Sequence, residues 1–231
     1  MASTTPRQEA LSGVREMAPV WLGAIPFGLI AGVTAVGVGL PATEAVLMSA
    51  IVFAGAAQLA GLQLLQQGAP LFVILLTTLV INTRMTMYSA ALAPFFRSLS
   101  PAWKALCAYL TTDQAFALGI SRFVRDPKRP HKGWYYLGAG GSLWLVWMAA
   151  TAVGVGLGAQ LPPGLSLDFA VPLVFLALLV PAVRGRGTLI AACVGGGVAV
   201  LAAGLPLNLG LLLGAVSGIV AGAMADKREG V

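Results

Sequence analysis

Charge is what this chain lacks most. Of 231 residues, 14 are Lys or Arg and 8 are Asp or Glu, which is 10% of the chain against about 25% in an ordinary soluble domain. So few charges cannot cover an aqueous surface, and a soluble globular fold is excluded. Histidine is nearly absent: His131 stands alone, in a basic stretch. The two cysteines, Cys107 and Cys193, sit inside apolar runs, where they read as small packing residues rather than a disulfide scaffold. No His/Cys/carboxylate cluster has ligand spacing, so no metal is expected. There is also no phosphate-binding glycine loop and no hydrolase constellation, so neither an enzyme nor a cofactor is expected. The net charge of +6 comes without an aromatic-rich basic surface, which argues against nucleic acid as a partner. The N-terminus has no signal-peptide h-region, and residues 1–17 read as a cytoplasmic lead.

What is present is apolar: 58% of the residues are hydrophobic. Runs bounded by Pro, Gly or charge fall at about 18–39, 44–66, 70–93, 103–122, 134–160, 168–183, 187–204 and 206–224. Most are apolar all round, as helices in lipid must be, and a span needs about 20 such residues. The sequence predicts an all-α integral membrane protein, a polytopic helical bundle of seven or eight transmembrane helices. Its parts would be a first membrane half over 18–124 (about four spans), a basic cytoplasmic loop over 125–133, a second half over 134–225 (three to four spans), and a tail over 226–231. With eight spans and the N-terminus inside, the inner face receives every Lys and Arg except Arg97, Lys104 and the intramembrane Arg84. Trp21, Trp103, Trp134, Tyr135 and Tyr136 stand near span ends and read as interfacial anchors.

The chain also echoes itself. Thr34 to Leu40 (TAVGVGL) recurs unchanged as Thr151 to Leu157, an offset of 117 in a chain whose half-length is 115.5. The same offset maps the second and third runs onto 161–183 and 187–210, which points to an internal duplication. Transporter folds often carry such repeats, with the substrate site between them.

Two ionisable residues interrupt the apolar runs. Arg84 lies in LVINTRMTMYSA, with Asn82, Thr86, Tyr88 and Ser89 close by. An Arg at the bilayer centre costs about 2.5–3.5 kcal/mol on insertion scales, so it must face protein or a cavity. It either locks two helices through an acid or meets a substrate, and Tyr88, one turn on, shares its face. Asp113 falls midway along the fourth run, followed by Gln114. Away from cations it would carry a proton, whereas beside Arg84 it would stay ionised, so the two are the natural pair to test. Pro26 lies in the first run between Gly23 and Gly28, next to Phe27. It breaks the helix, freeing N–H groups for a carboxylate, or merely kinks it. In the second run Phe53 precedes small residues and Gln58, an interhelical hydrogen bonder. Glu44 and Asp168 begin runs and read as helix caps.

Taken in order, Pro26-Phe27-Gly28, Phe53-Ala-Gly-Ala-Ala-Gln58, Asn82-Thr-Arg84 with Tyr88-Ser-Ala90, and Thr112-Asp113 resemble the AzlC family. These are the large subunits of bacterial branched-chain amino-acid exporters. The match runs through roughly residues 15–125, and Leu167-Asp-Phe169 with the following Pro/Leu run resembles the family's second half. The resemblance implies an inner-membrane permease that exports leucine, isoleucine, valine and methionine together with a small multi-span AzlD-like subunit. Two departures bear on substrate and coupling. Gln114 stands where members often carry an acid, and Met85 and Thr86 stand where bulkier or basic residues are common.

These readings combine into one expected mechanism, alternating access without covalent chemistry. Arg84 or a broken first helix would meet the substrate carboxylate, and Asp113 or backbone carbonyls its ammonium. Phe27 and Phe53 would receive the aliphatic chain. The alternatives are a channel-like facilitator and a non-transporting scaffold for the small partner.

Overall fold

The computed structural model describes residues 5–160, 183, 185–204 and 209–228. The described elements are helices: α1 (Pro6–Gly37), α2 (Ala42–Val52), α3 (Gly55–Gln66), α4 (Leu71–Leu92), a 3-10 turn (Ala93–Phe96), α5 (Pro101–Tyr109), α6 (Asp113–Arg125), α7 (Lys132–Gly158), α8 (Arg186–Leu201) and α9 (Leu209–Arg228). They fall into two units, one holding α1–α7 and the other α8 and α9.

The helix α1 begins within the stretch expected as a lead. Thr5 caps it, its hydroxyl accepting from the Gln8 backbone while the Gln8 side chain accepts from Thr5 N–H, and Pro6 fills the first turn. It then runs unbroken past Pro19 and Pro26. Of the two readings of Pro26, a broken helix or a proline within a packed one, the structure has the second: a proline removes one donor, and the helix absorbs that loss because it is clamped along its length to α7. Gly13 faces the Tyr135 backbone, Gly28 the Ala150 side chain and Gly32 the Thr151 backbone, each too close for a Cβ. The contacts ascend together in sequence, so α1 and α7 run parallel. The first heptapeptide copy begins on the last turn of α1 and runs past its end at Gly37, and the second lies within α7. Small residues here let backbones approach where lipid gives no hydrophobic drive.

The second apolar run, expected as one span over 44–66, is a hairpin. Phe53 is left-handed at φ 34° and ψ 44°, Ala54 is extended, and α3 starts at Gly55. In one continuous helix Ser49 and Gln58 would stand about 13 Å apart. Instead Gln58 Nε2 donates to Ser49 Oγ at 2.6 Å, and a Cβ on Gly61 would touch Met48. Thus α3 returns along α2 to the end from which it came. The fourth run, expected over 103–122, is a second hairpin. Trp103 at the start of α5 packs on Trp134, with ring centroids 5.0 Å apart. Leu110 meets Gly140, and Phe123 near the end of α6 packs on Tyr135 at 5.8 Å. The chain climbs along α7 and comes back to the level where it began.

The two hairpins enter from opposite ends, and their tips meet. Tyr109 OH donates to the Ala50 carbonyl, which the α2–α3 turn leaves without a helical donor, and Trp144 Nε1 donates to Tyr109 OH at 2.7 Å. Among the described residues three helices are long and apolar enough to cross a membrane: Pro6–Gly37, Leu71–Phe96 and Lys132–Gly158. The runs 44–66 and 103–122 are not spans. A hydropathy sum registers apolar length and is blind to a turn halfway along it. The run over 168–183, with Asp168, lies outside the described residues except for residue 183.

This geometry moves Arg97 and Lys104. Leu99 packs against Gly133 and Trp103 against Trp134, so both cations sit at the same end of the unit as Arg122 to Lys132. The opposite end, with the 38–43 and 67–70 connections, carries no Lys or Arg. Tyr135 and Tyr136 are fully buried in an aromatic core with Phe96 and Phe123, which corrects their reading as interfacial anchors. In the second unit α8 and α9 form an antiparallel pair, with Gly195 against Gly214 and Gly218, and Gly222 against Gly187 and Ala191.

Candidate functional site

The tip of the second hairpin holds the intramembrane charges. Leu110, Thr111 and Thr112 interrupt the run, and Thr112 caps α6, its Oγ1 accepting from Ala115 N–H at 3.2 Å. Asp113 is thereby the first residue of a helix rather than the middle of one, where the helix dipole favours a carboxylate. Its Oδ2 lies 3.1 Å from Arg84 Nη1, and its Oδ1 accepts from Tyr88 OH at 2.8 Å. Arg84 and Tyr88 reach the same carboxyl because they stand one turn apart on α4. Tyr88 is further fixed by stacking on Phe116, with centroids 4.3 Å apart and planes 12° apart.

This pair is not sealed. Side-chain exposure is 34% for Arg84 and 40% for Asp113. Charges at such depth cannot face hydrocarbon, so the open side is a cavity or protein. Arg84 Nε and Asn82 Oδ1 are buried without a hydrogen-bond partner among the described residues, which leaves donor and acceptor capacity at the site. Gln114 follows Asp113 and is exposed.

The other expected residues gather at the tip of the first hairpin. Phe53 packs 6.2 Å from Tyr109, and Phe27 packs 6.3 Å from Trp147. A Cβ on Gly55 would touch both Trp147 and Phe27. Gly28 serves close packing against α7 rather than ligand contact. Gln58 is the interhelical bonder expected: through Ser49 Oγ, which donates to Thr151 Oγ1 at 3.3 Å, it ties the hairpin to α7. Pro26 lies on an exposed face of α1. Of the ten expected residues, Arg84, Tyr88 and Asp113 meet at the second tip with Asn82 and Gln114 close in sequence, Phe27 and Phe53 flank the first tip, Gln58 ties the first hairpin to α7, and Pro26 and Gly28 belong to the faces of α1.

A second polar cluster escaped the sequence reading. Glu16 takes a hydrogen-bonded ion pair from Arg122 and a hydrogen bond from Tyr135 OH at 2.7 Å, while Arg122 Nη2 donates to Ser12 Oγ at 3.1 Å. Glu9, 1% exposed, receives Arg129 Nε at 2.8 Å. That hydrogen bond raises the Arg129 pKa above its ordinary value. Glu9, Ser12 and Glu16 follow a three-and-four spacing that places them on one helical face. The signal was present in the sequence but lay in the stretch taken as a lead. Among the described residues no group of three or more His, Cys, Asp or Glu could hold a metal.

The chain is similar to known membrane proteins. A family model described as "AzlC protein" matches residues 19–161, which include both hairpins and the Arg84–Asp113 pair. The inner membrane protein YgaZ of Escherichia coli (strain K12) is 27% identical over 185 residues, covering 78% of this chain and 75% of that protein. An uncharacterized membrane protein of Archaeoglobus fulgidus is 30% identical over 216 residues, covering 92% and 91%. No solved structure matches. With the family model spanning more than half its length, this chain belongs to the AzlC family of membrane proteins.

Proposed function

We propose that this protein is the large subunit of a secondary transporter that exports branched-chain amino acids (leucine, isoleucine, valine and methionine) across the bacterial inner membrane, with a small AzlD-like subunit as partner. One observation carries the reading: a half-exposed Arg84–Asp113–Tyr88 cluster at the meeting point of two opposed hairpins, in a chain of the AzlC family. An amino acid presents a carboxylate, an ammonium and an aliphatic chain. Arg84 and Asp113 supply the complementary charges, and the aromatic group at the first tip supplies an apolar wall. Transport proceeds by alternating access, in which the hairpin tips exchange partners and no covalent step occurs.

Orientation follows from charge. All Lys and Arg of the first unit other than Arg84 lie at the end bearing Arg122 to Lys132, and the positive-inside tendency makes that end cytoplasmic, with the N-terminus inside. Single cysteines at Arg97 and Lys128, placed in a chain with Cys107 and Cys193 replaced by alanine, will be labelled by an impermeant thiol reagent from the same face. Labelling from opposite faces would restore the eight-span topology. The functional test is export of labelled leucine from loaded vesicles carrying this chain with and without the partner. Saturable leucine efflux that requires this chain is expected. Flux that does not saturate would favour a facilitating pore, and no flux at all a scaffold.

A further inference from the structure

A cavity of about 590 Å³ lies between the end of α4 with its 3-10 turn and α5. That is within the range of about 300–1,000 Å³ seen for small-molecule sites. Its residues grade along its length. Arg97 and Lys104 line it at the cationic end, Leu92, Phe96 and Cys107 form apolar wall, and Ser89 and Thr111 line the deep end. Ser89 follows Tyr88 and Thr111 lies two residues before Asp113 in the chain, so the deep end is one short step along α4 and the hairpin tip from the carboxyl that Arg84 and Tyr88 hold, although none of those three residues lines the cavity.

The two cations here differ from Arg122 and Arg129. Arg122 and Arg129 at the same end are tied to Glu16 and Glu9. Arg97 and Lys104 are exposed and form no ion pair with an acid among the described residues. An apolar chamber with unneutralised positive charge on one side complements a small molecule with an anionic head and an aliphatic body. We propose that this cavity is the chamber in which the exported amino acid is first received from the cationic end, Arg97 and Lys104 selecting its carboxylate and the Leu92–Phe96–Cys107 wall its side chain, before it passes to Arg84 and Asp113. The proposal rests on the export reading above and adds to it a place and a specificity. Cationic amino acids are disfavoured at the rim by Arg97 and Lys104, before the inner site is reached.

The test uses full-length protein in vesicles with its partner. In one arm Ala108, which lines the cavity, becomes cysteine in a chain carrying Cys107→Ala and Cys193→Ala, with Ala93→Cys as a second reporter. Leucine added on the cationic side should slow thiol labelling of both, and lysine should not. In the other arm R97Q/K104Q should raise the KM for leucine about tenfold, the effect of losing a charge-assisted contact, with the maximal rate nearly unchanged. The double variant's fold is checked by its melting temperature. Wild-type export of leucine with no protection at either cysteine and an unaltered KM would overturn the chamber while leaving the export reading intact. Absence of leucine export by the wild type would remove both. Protection that tracks phosphatidylglycerol in the vesicles instead of leucine would make the cavity a lipid site and refute the proposal.

Discussion

Two sets of ion pairs fasten α6 to its neighbours, one at each end of that helix, and they use the same chemistry for different purposes. At the cationic end Arg122 reaches Glu16 on α1, and Tyr135 on α7 occupies the second carboxylate oxygen. At the hairpin tip Asp113 reaches Arg84, and Tyr88 occupies its second oxygen. Each is a carboxylate gripped by one guanidinium and one phenol. The difference lies in the surroundings. The terminal cluster is backed by the fully buried Tyr135 and extended by Glu9 and Arg129, so it binds three helices around one packed junction. Among the described residues the tip pair joins only α4 and α6, and its 34–40% exposure lies at a depth where no bulk water is expected, whereas Arg122 and Glu16, 21% and 34% exposed, open at the end of the unit. A pair wired into a packed junction of three helices is a fastener. A pair that is strong yet open can trade one partner for a ligand.

Breaking the fastener should have the larger effect. Glu9→Ala removes the close partner of the Arg129 guanidinium, which among the described residues keeps only Asp126 at 3.9 Å, and losing a hydrogen bond to a charged group costs about 1.5–3 kcal/mol. The melting temperature in detergent should fall by several degrees, while export per folded molecule stays near wild type. A variant with unchanged stability and lost transport would invert the comparison. Breaking the tip pair should do the reverse. Asp113→Asn keeps the shape and removes the charge, so leucine export should drop about 30-fold, equivalent to about 2 kcal/mol, with little change in melting temperature. Retained export with Asp113→Asn would exclude the carboxyl from the transport path.

How far these distinctions could be read in advance depends on which residues encode them. The pairing of Arg84 with Asp113 was legible, because two isolated charges in apolar runs must find each other or a cavity. So was Gln58 as an interhelical bonder. The second hairpin could have been read: Thr112 before Asp113 is an N-cap signature within the run. It was passed over because the surrounding hydropathy already satisfied a span. The first hairpin left no such mark. Its turn depends on a left-handed Phe53, a conformation uncommon for a bulky residue, and tertiary contacts from Tyr109 and Trp147 hold it there. Pro26 left both a break and a packed, continuing helix open, and only the contacts with α7 decide for the second. Glu9 and Glu16 were missed because hydropathy places residues 1–17 outside the membrane helix, although α1 had already begun at Pro6.

The finest test removes one oxygen at each site. Tyr88→Phe and Tyr135→Phe each delete a phenol that donates to a carboxylate, at 2.8 Å and 2.7 Å respectively, and each preserves the ring. A hydrogen bond to a charged group is worth about 1.5–3 kcal/mol, so the chemical loss is matched and only the setting differs. At Glu16 the loss falls on stability, because the Tyr135 hydroxyl sits in a closed core and nothing replaces it. At Asp113 water or substrate can take the vacated position, so stability should hardly move while the KM for leucine shifts about three- to tenfold, at or below the lower end of that range. If both substitutions lowered the melting temperature equally and neither touched KM, the tip would be a second fastener and Arg84–Asp113 merely a lock between α4 and α6.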